Sequence, residues 1–235
     1  DFGMLDLKIV TQNAYNYEEP VTVGYDIYSP QGKLLEFNMT EITIPGRSTD
    51  TVRFSPFIYH PYDNKWEAGS KTPPLYKVML FTRRDGAYRE YMPLKIGFGK
   101  TELVDGRLTR FGKELKLVKA GYNAAADRKT TLAELKTLKA KGNNTICPDY
   151  PQPGWFYDLC DELGLYVIDC ANINAPEKRD DRKVGGTPSN DPSLADEYLE
   201  RVKAMYYRSR NHSCVIAFAL GGESGNGYNM YKAYE

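Results

Sequence analysis

The first part of the chain alternates apolar and polar positions with the period of two that half-buried strands show. The alternating stretches are Leu5–Val10, Val21–Tyr28, Thr40–Ile44, Tyr76–Thr82 and Tyr88–Tyr91. Turn-forming residues separate them, at Ser29-Pro30-Gln31-Gly32 and at Asp85-Gly86. Short strands with regular turns are typical of a sandwich, so residues 1–98 are predicted to form an immunoglobulin-like β-sandwich. Its many tyrosines could line a binding face, or they could simply belong to the strands of a structural spacer.

The hydrophobic pattern changes after residue 98. Apolar runs without alternation, typical of parallel strands buried on both faces, occur at Leu165–Ile168 and Cys214–Leu220. Leu115–Ala120 and Thr145–Cys147 are predicted to be the two strands that precede these runs. Between these runs, apolar residues recur three and four positions apart, as they do on one face of a helix. Residues 99–235 are therefore predicted to form four β/α units, half of a (β/α)8 TIM barrel. The expected fold class is multidomain, β followed by α/β.

Several residues mark the expected ends of the helices. Thr130 or Thr131 is suited to an N-cap, and Gly142 to the C-terminal cap of the same helix. Pro153 is placed for the first turn of the next helix, which Gly164 ends. A polar loop runs from Asn172 through Pro192, and loops of this length in a compact domain are usually functional or disordered.

The last predicted strand leads directly to a carboxylate. Cys214–Leu220 is followed by Gly221, Gly222 and Glu223. Catalytic groups of a (β/α) barrel lie at the C-terminal ends of its strands, so Glu223 is a candidate catalytic residue. The simpler alternative is a loop carboxylate that follows a core strand.

Composition narrows the possible partners. The 235 residues carry 31 basic and 31 acidic side chains, so charge does not indicate binding to nucleic acid or to a membrane surface. No apolar run approaches the roughly 20 residues that span a bilayer. The chain starts at Asp1 without a visible signal peptide, and we expect an excised fragment of a longer protein. The compartment, whether bacterial periplasm, secreted medium or cytoplasm, stays open.

Metal and cofactor sites are not expected. The four cysteines are Cys147, Cys160, Cys170 and Cys214, none of them in a Cys-x-x-Cys pair, and the chain has only two histidines. Buried free thiols are the favoured state of these cysteines. Cys170 follows a strand and could be considered a nucleophile, but no histidine lies near it in sequence to act as its base.

Two motif regions of the second half resemble glycoside hydrolase family 2. The first runs from Asn144-Thr145-Ile146-Cys147-Pro148-Asp149-Tyr150-Pro151 to Asp169, and the second from Arg210-Asn211-His212 to Gly221-Gly222-Glu223-Ser224. Trp66, Pro74-Leu75-Tyr76 and Ile96-Gly97-Phe98 resemble the family's sandwich domain and its junction with the barrel. The resemblance therefore covers nearly the whole chain, with the parts in the family's order.

The resemblance implies a β-galactosidase-like retaining glycosidase that acts on a carbohydrate. Glu223 matches the family's general acid/base at the end of the fourth barrel strand. A retaining enzyme needs a second carboxylate about 5–5.5 Å from the first, which forms the covalent intermediate. In this family the second carboxylate comes from the seventh strand, outside these four units, so the fragment alone is expected to be inactive.

Departures from the family pattern leave a second function open. Ile146 stands where the family usually has Arg, Asp149 where it has His, and Gly222 where it has an Asn that binds the sugar 2-hydroxyl. Asp149 and Asn123 are candidate sugar contacts, on position alone. The alternative to a glycosidase is therefore a catalytically degenerate relative that binds carbohydrate or serves as a scaffold.

The half barrel also has an expected consequence for association. Its first and last strands would each lack one neighbour, and unpaired strand edges invite pairing with another chain. We therefore expect this fragment to self-associate.

Overall fold

The computed structural model describes residues 2–235, which divide into two compact units. The first unit comprises the residues up to Trp66 together with Pro74–Phe98. The second comprises Glu67–Pro73 and Gly99–Glu235. Within residues 2–235, no helix combines the length and the apolar composition that crossing a membrane requires.

The first unit is built from antiparallel strands. They are β1 (Phe2–Met4), β2 (Leu7–Gln12), β3 (Glu19–Tyr28), β4 (Leu34–Ile44), β5 (Thr49–Phe54), β6 (Phe57–Tyr59), β7 (Tyr76–Arg84) and β8 (Ala87–Ile96), with a 3₁₀ turn at Pro61–Asn64. Four of them form one sheet in the order β4-β3-β7-β8, while β2 pairs with β5 and β1 pairs with β6. The five strands predicted from period-two alternation are confirmed as β2, β3, β4, β7 and β8, although β2 begins at Leu7 rather than Leu5 and the other four are longer than predicted. Strands β1, β5 and β6 were not predicted.

Alternation along the strands builds the core of this unit. Val23, Tyr25 and Ile27 on β3 are 0–2% exposed. Tyr25 and Ile27 pack with Ile58 of β6 and Val78 of β7, so the four-stranded sheet and the strand pairs share one core. The predicted hairpin at Asp85-Gly86 is also confirmed. Its φ values of 52° and 73° are those of a type I′ turn, which matches the twist of the two strands.

The second unit begins with a small antiparallel sheet and continues as alternating strands and helices. Its elements are β9 (Thr101–Val104), β10 (Arg107–Arg110), β11 (Lys113–Glu114), β12 (Lys119–Gly121), α1 (Arg128–Ala140), β13 (Thr145–Cys147), α2 (Gly154–Leu163), β14 (Tyr166–Cys170), α3 (Ala195–Ser209), β15 (Val215–Ala219) and α4 (Tyr228–Tyr234). Two 3₁₀ turns, Pro188–Asn190 and Pro192–Leu194, lie between β14 and α3. All pairings in the sheet β12-β13-β14-β15 are parallel, and the strands lie side by side in chain order.

Two local predictions in this unit are wrong. The strand predicted at Leu115–Ala120 forms only at Lys119–Gly121, because the Leu115 amide donates instead to the carbonyl of Leu108, at 2.8 Å. The N-cap of α1 is Asp127, whose Oδ1 accepts the Thr130 amide at 2.9 Å. Aspartate is at least as favourable as threonine at an N-cap position.

The last strand is less buried than its sequence indicates. β14 is buried as predicted, but β15 is only partly buried, and Phe218 is 36% exposed. Among residues 2–235, β15 pairs only with β14, so its other edge is open. Tyr206 of α3 is 43% exposed, and its ring centroid lies 5.4 Å from that of Phe218.

A buried carboxylate joins α2 to the start of β15. Asp161, 2% exposed, accepts the Cys214 amide at 2.7 Å through Oδ1. Its Oδ2 lies 2.8 Å from Nδ1 of His212. Because both oxygens are engaged, Asp161 sets where the last strand begins relative to α2.

Replacing Asp161 by Ala should lower the free energy of unfolding by about 2–4 kcal/mol, since a hydrogen bond to a charged group contributes about 1.5–3 kcal/mol and the Cys214 amide is left without an acceptor. Asp180→Ala, at an exposed carboxylate in the loop after β14, is the control and should change it by less than about 0.5 kcal/mol. Urea unfolding of both variants makes the comparison. Equal losses would show that Asp161 does not link the helix to the strand.

Candidate active site

The candidate residues lie at one edge of the parallel sheet. Asn123 follows β12, Asp149 follows β13, and Glu223 follows β15. Because the strands run in the same direction, their C-terminal ends meet at a common edge. This edge is where α/β folds place their ligand sites.

Asn123 and Asp149 form a direct pair. Nδ2 of Asn123 donates to Oδ2 of Asp149 at 2.8 Å, and the Asp149 amide donates to Oδ1 of Asn123 at 3.0 Å. Asp149 is exposed and Asn123 half-buried. Within residues 2–235, Oδ1 of Asp149 accepts no hydrogen bond, so it is available to a hydroxyl donor. The sequence suggested both residues separately but did not indicate that they are partners.

Close backbone contacts hold the segment that carries Glu223. The Gly222 amide donates to the carbonyl of Ile173 at 2.8 Å, and the Ala175 amide donates to that of Glu223 at 2.9 Å. A Cβ on Gly221 would lie 2.8 Å from the Ile173 carbonyl, so this approach requires glycine. A Cβ on Gly222 would lie 4.0 Å from the Asp149 carbonyl, which brings the segment next to the end of β13.

The long loop after β14 supports the same segment. The Tyr228 amide donates to Oδ1 of Asn190 at 3.2 Å, and Nδ2 of Asn229 donates to the carbonyls of Pro188 and Asp191 at 3.1 and 2.8 Å. Asn229 is 1% exposed, so these bonds are shielded from water. The loop therefore packs against the chain on the C-terminal side of Glu223.

Glu223 itself is exposed and unpaired. Its carboxylate makes no hydrogen bond or ion pair within residues 2–235. Only its backbone is fixed, through the contact with Ala175. The side chain is thus free to meet a ligand at the sheet edge.

A buried hydrogen-bond network beneath the edge was not predicted. Asp169, 0% exposed, accepts Tyr157 Oη at 2.8 Å and Ser209 Oγ at 2.6 Å. Burial raises the pKa of Tyr157, and the Asp169 carboxylate adds to the rise, so the phenol stays protonated and donates. An Asp within the apolar run of β14 was the available sequence signal, because a buried carboxylate must have partners.

Cys170 is a neutral thiol in this setting. It is 5% exposed, and its Sγ lies 3.5 Å from the carbonyl of Ala171. Burial raises the pKa of Cys170 to about 11, with Asp169 and Asp149 adding to the shift. A thiol of this kind is a poor nucleophile.

One group of side chains has the composition of a metal site. Asp158, Asp161 and His212 bring their ligand atoms within 4.8 Å of one another. Both oxygens of Asp161 already serve the Cys214 amide and His212, which favours a structural role. The group also lies before β15, at the end of the strand opposite Glu223.

Comparison with known proteins identifies a family. Residues 122–235 match the model described as "Glycosyl hydrolases family 2, TIM barrel domain". The β-galactosidase of Vibrio cholerae is 32% identical over 176 residues, covering 70% of this chain and 17% of that protein. The β-galactosidase of Psychromonas ingrahamii is 30% identical over 248 residues, covering 100% of this chain and 23% of that protein. The chain thus spans about a fifth of the length of these curated relatives.

Solved structures share the fold. A putative β-galactosidase from Bacteroides fragilis matches with a TM-score of 0.78 at 18% identity, over 94% of this chain and 32% of that one. A Bacteroides uniformis β-glucuronidase matches with a TM-score of 0.76 at 19% identity, over 92% of this chain and 25% of that one. At such low identity these matches concern the fold alone.

Alkylation should find Cys170 slow to react. A rise of its pKa from 9.0 to about 11 lowers the thiolate fraction at pH 8 about a hundredfold. We therefore expect the rate of iodoacetamide modification, followed by peptide mass analysis of the folded chain, to keep rising up to pH 10. A rate that levels off below pH 9 would show a normal thiol and reopen a nucleophilic role.

Proposed function

This chain belongs to glycoside hydrolase family 2, and from that premise we propose that it is the acid/base part of a β-galactosidase-like enzyme that hydrolyses terminal O-glycosidic bonds with retention. Glu223 is the proposed acid/base. It first protonates the leaving oxygen and then takes a proton from the water that releases the sugar. The observation that carries this role is an exposed, unpaired carboxylate that follows the C-terminal end of β15, on a segment whose Gly222 approaches the backbone carbonyl of Asp149.

The domain organisation is part of the proposal. We take residues 1–98 as an immunoglobulin-like sandwich and residues 99–235 as the N-terminal half of a TIM-barrel catalytic domain. The change of compact unit at Phe98/Gly99 and the four parallel strands in chain order support this division. The open edges of β12 and β15 then belong to a barrel that further strands complete, and they account for the expected self-association of the isolated chain.

Only one of the two carboxylates of the reaction comes from this chain. The second, about 5–5.5 Å from Glu223 in a retaining enzyme, is proposed to come from sequence outside these 235 residues. The chain alone should therefore not hydrolyse glycosides. The carbohydrate is held in part by Asp149 and Asn123, through the free oxygen of the carboxylate.

A specific observation favours the alternative of a sugar-binding relative without turnover. Gly222 precedes Glu223, and a Cβ there would meet its nearest neighbours only at 3.9–4.0 Å. A side chain would fit, so glycine is not required by space at this position. Its presence leaves no side chain at the position immediately before Glu223 to bind the sugar.

In the longer protein, Glu223→Gln should lower kcat/KM by about 10²–10⁴ for glycosides with a poor leaving group, the usual contribution of general acid catalysis. The loss should be much smaller for a dinitrophenyl glycoside, whose leaving group needs no proton. Glu197→Gln, an exposed carboxylate on α3, is the control and should leave kcat/KM unchanged. A loss that does not depend on the leaving group would contradict the assignment.

Alanine at Asn123 or Asp149 should weaken sugar binding about tenfold or more. Asp149→Ala removes the carboxylate that accepts the sugar hydroxyl, and Asn123→Ala removes the hydrogen bond that holds this carboxylate. The inhibition constant of the free sugar measures this without relying on chemistry. Asn211→Ala, an exposed residue before β15, is the matched control. Unchanged affinity in both site variants would remove them from the sugar site.

A further inference from the structure

We propose that Gln152 is a positioning residue that fixes the Asn123–Asp149 pair in the orientation that meets the sugar. This inference rests on the proposed function for its sugar, but its geometry stands on contacts within this chain. Gln152 lies between β13 and α2 and is 2% exposed. A buried amide must have its donors and acceptors satisfied, and this one connects the site to the rigid interior.

The side chain of Gln152 binds the loops after both β12 and β13. Its Oε1 accepts the Ala124 amide at 2.7 Å. Its Nε2 donates to Oδ1 of Asn123 at 3.3 Å and to the carbonyl of Tyr150 at 2.5 Å. The amide therefore joins residues directly adjacent to Asn123 and Asp149 and holds the two loops together.

These contacts determine which way the Asn123 amide faces. Oδ1 of Asn123 accepts two N–H groups, those of Gln152 Nε2 and the Asp149 backbone. A flipped amide would turn its own N–H groups toward these donors and its oxygen toward the Asp149 carboxylate. The observed orientation is thus the stable one, and it leaves Oδ1 of Asp149 free for a hydroxyl.

The backbone of Gln152 is held by hydrogen bonds to residues of the two helices α2 and α3. Its amide donates to Tyr157 Oη at 3.0 Å, and Tyr157 in turn donates to buried Asp169 at 2.8 Å. Its carbonyl accepts Arg208 of α3 at 3.4 Å. A continuous chain of hydrogen bonds thus runs from the interior carboxylate to the exposed pair, and Gln152 is its connecting member.

Two variants of Gln152 in the longer protein separate positioning from simple stability. Gln152→Glu keeps the size and the acceptor for Ala124 but replaces the donor to Asn123 by an oxygen. Protonation of this carboxyl restores a donor, so the ratio of kcat/KM in the variant to that in the unchanged protein should recover toward low pH. Gln152→Leu has no such donor and should show a constant loss of about tenfold, carried mainly by KM.

Crystal structures of both variants give a readout that does not depend on turnover, and unfolding midpoints verify that they are folded. We expect the Asn123 amide to turn or the Asn123–Asp149 distance to lengthen. An unchanged pair in folded Gln152→Leu would overturn the inference, whether or not any sugar is hydrolysed. A displaced pair with kcat/KM within twofold of the unchanged protein would also overturn it. Failure of the unchanged protein on every glycoside would instead count against the proposed function, while the structures still decide the role of Gln152.

Discussion

The parallel hydrogen bonding of β12, β13, β14 and β15 determines which residues of the second unit can meet. Since all four strands point the same way, the segments that leave their C-terminal ends share one edge, and Asn123 reaches Asp149 across 26 positions of sequence. The buried Asp161 adds a second constraint at the other end, where it ties the start of β15 to α2. The position of Glu223 follows from this register and from the backbone contacts at Ile173 and Ala175.

Much of this architecture could be predicted from periodicity, because apolar spacing reports burial directly. β13 was predicted with its observed bounds, and Gly164 ends α2 in the left-handed conformation that glycine favours. The misplaced first strand and helix cap depended on competing local hydrogen bonds, at Leu115 and Asp127, which periodicity does not encode. The role of Gln152 could not be predicted from periodicity either, because its contacts lie in loops that meet only when the sheet has formed.

The site combines one unpaired functional group with a hydrogen-bonded support. Glu223 is exposed and unpaired, whereas the Asn123–Asp149 pair is held through Gln152 and Tyr157 on buried Asp169. A proton-transferring carboxyl must change its charge during the reaction, so freedom from a permanent ion pair suits it. A side chain that binds the sugar instead benefits from fixed hydrogen bonds, because its geometry should be set before the ligand arrives. The high pKa of Cys170 keeps a neutral thiol between these groups.

The most direct measurement is turnover of a panel of nitrophenyl glycosides by the longer protein that contains this chain, beside residues 1–235 alone. We expect the longer protein to hydrolyse one class of glycoside and the isolated chain to hydrolyse none, because the second carboxylate is proposed to come from outside these residues. Hydrolysis by the isolated chain would contradict the division of the two carboxylates. A folded longer protein that hydrolyses no glycoside would contradict the enzymatic function and favour a sugar-binding relative in which Gly222 and Asp149 mark a site that no longer turns over.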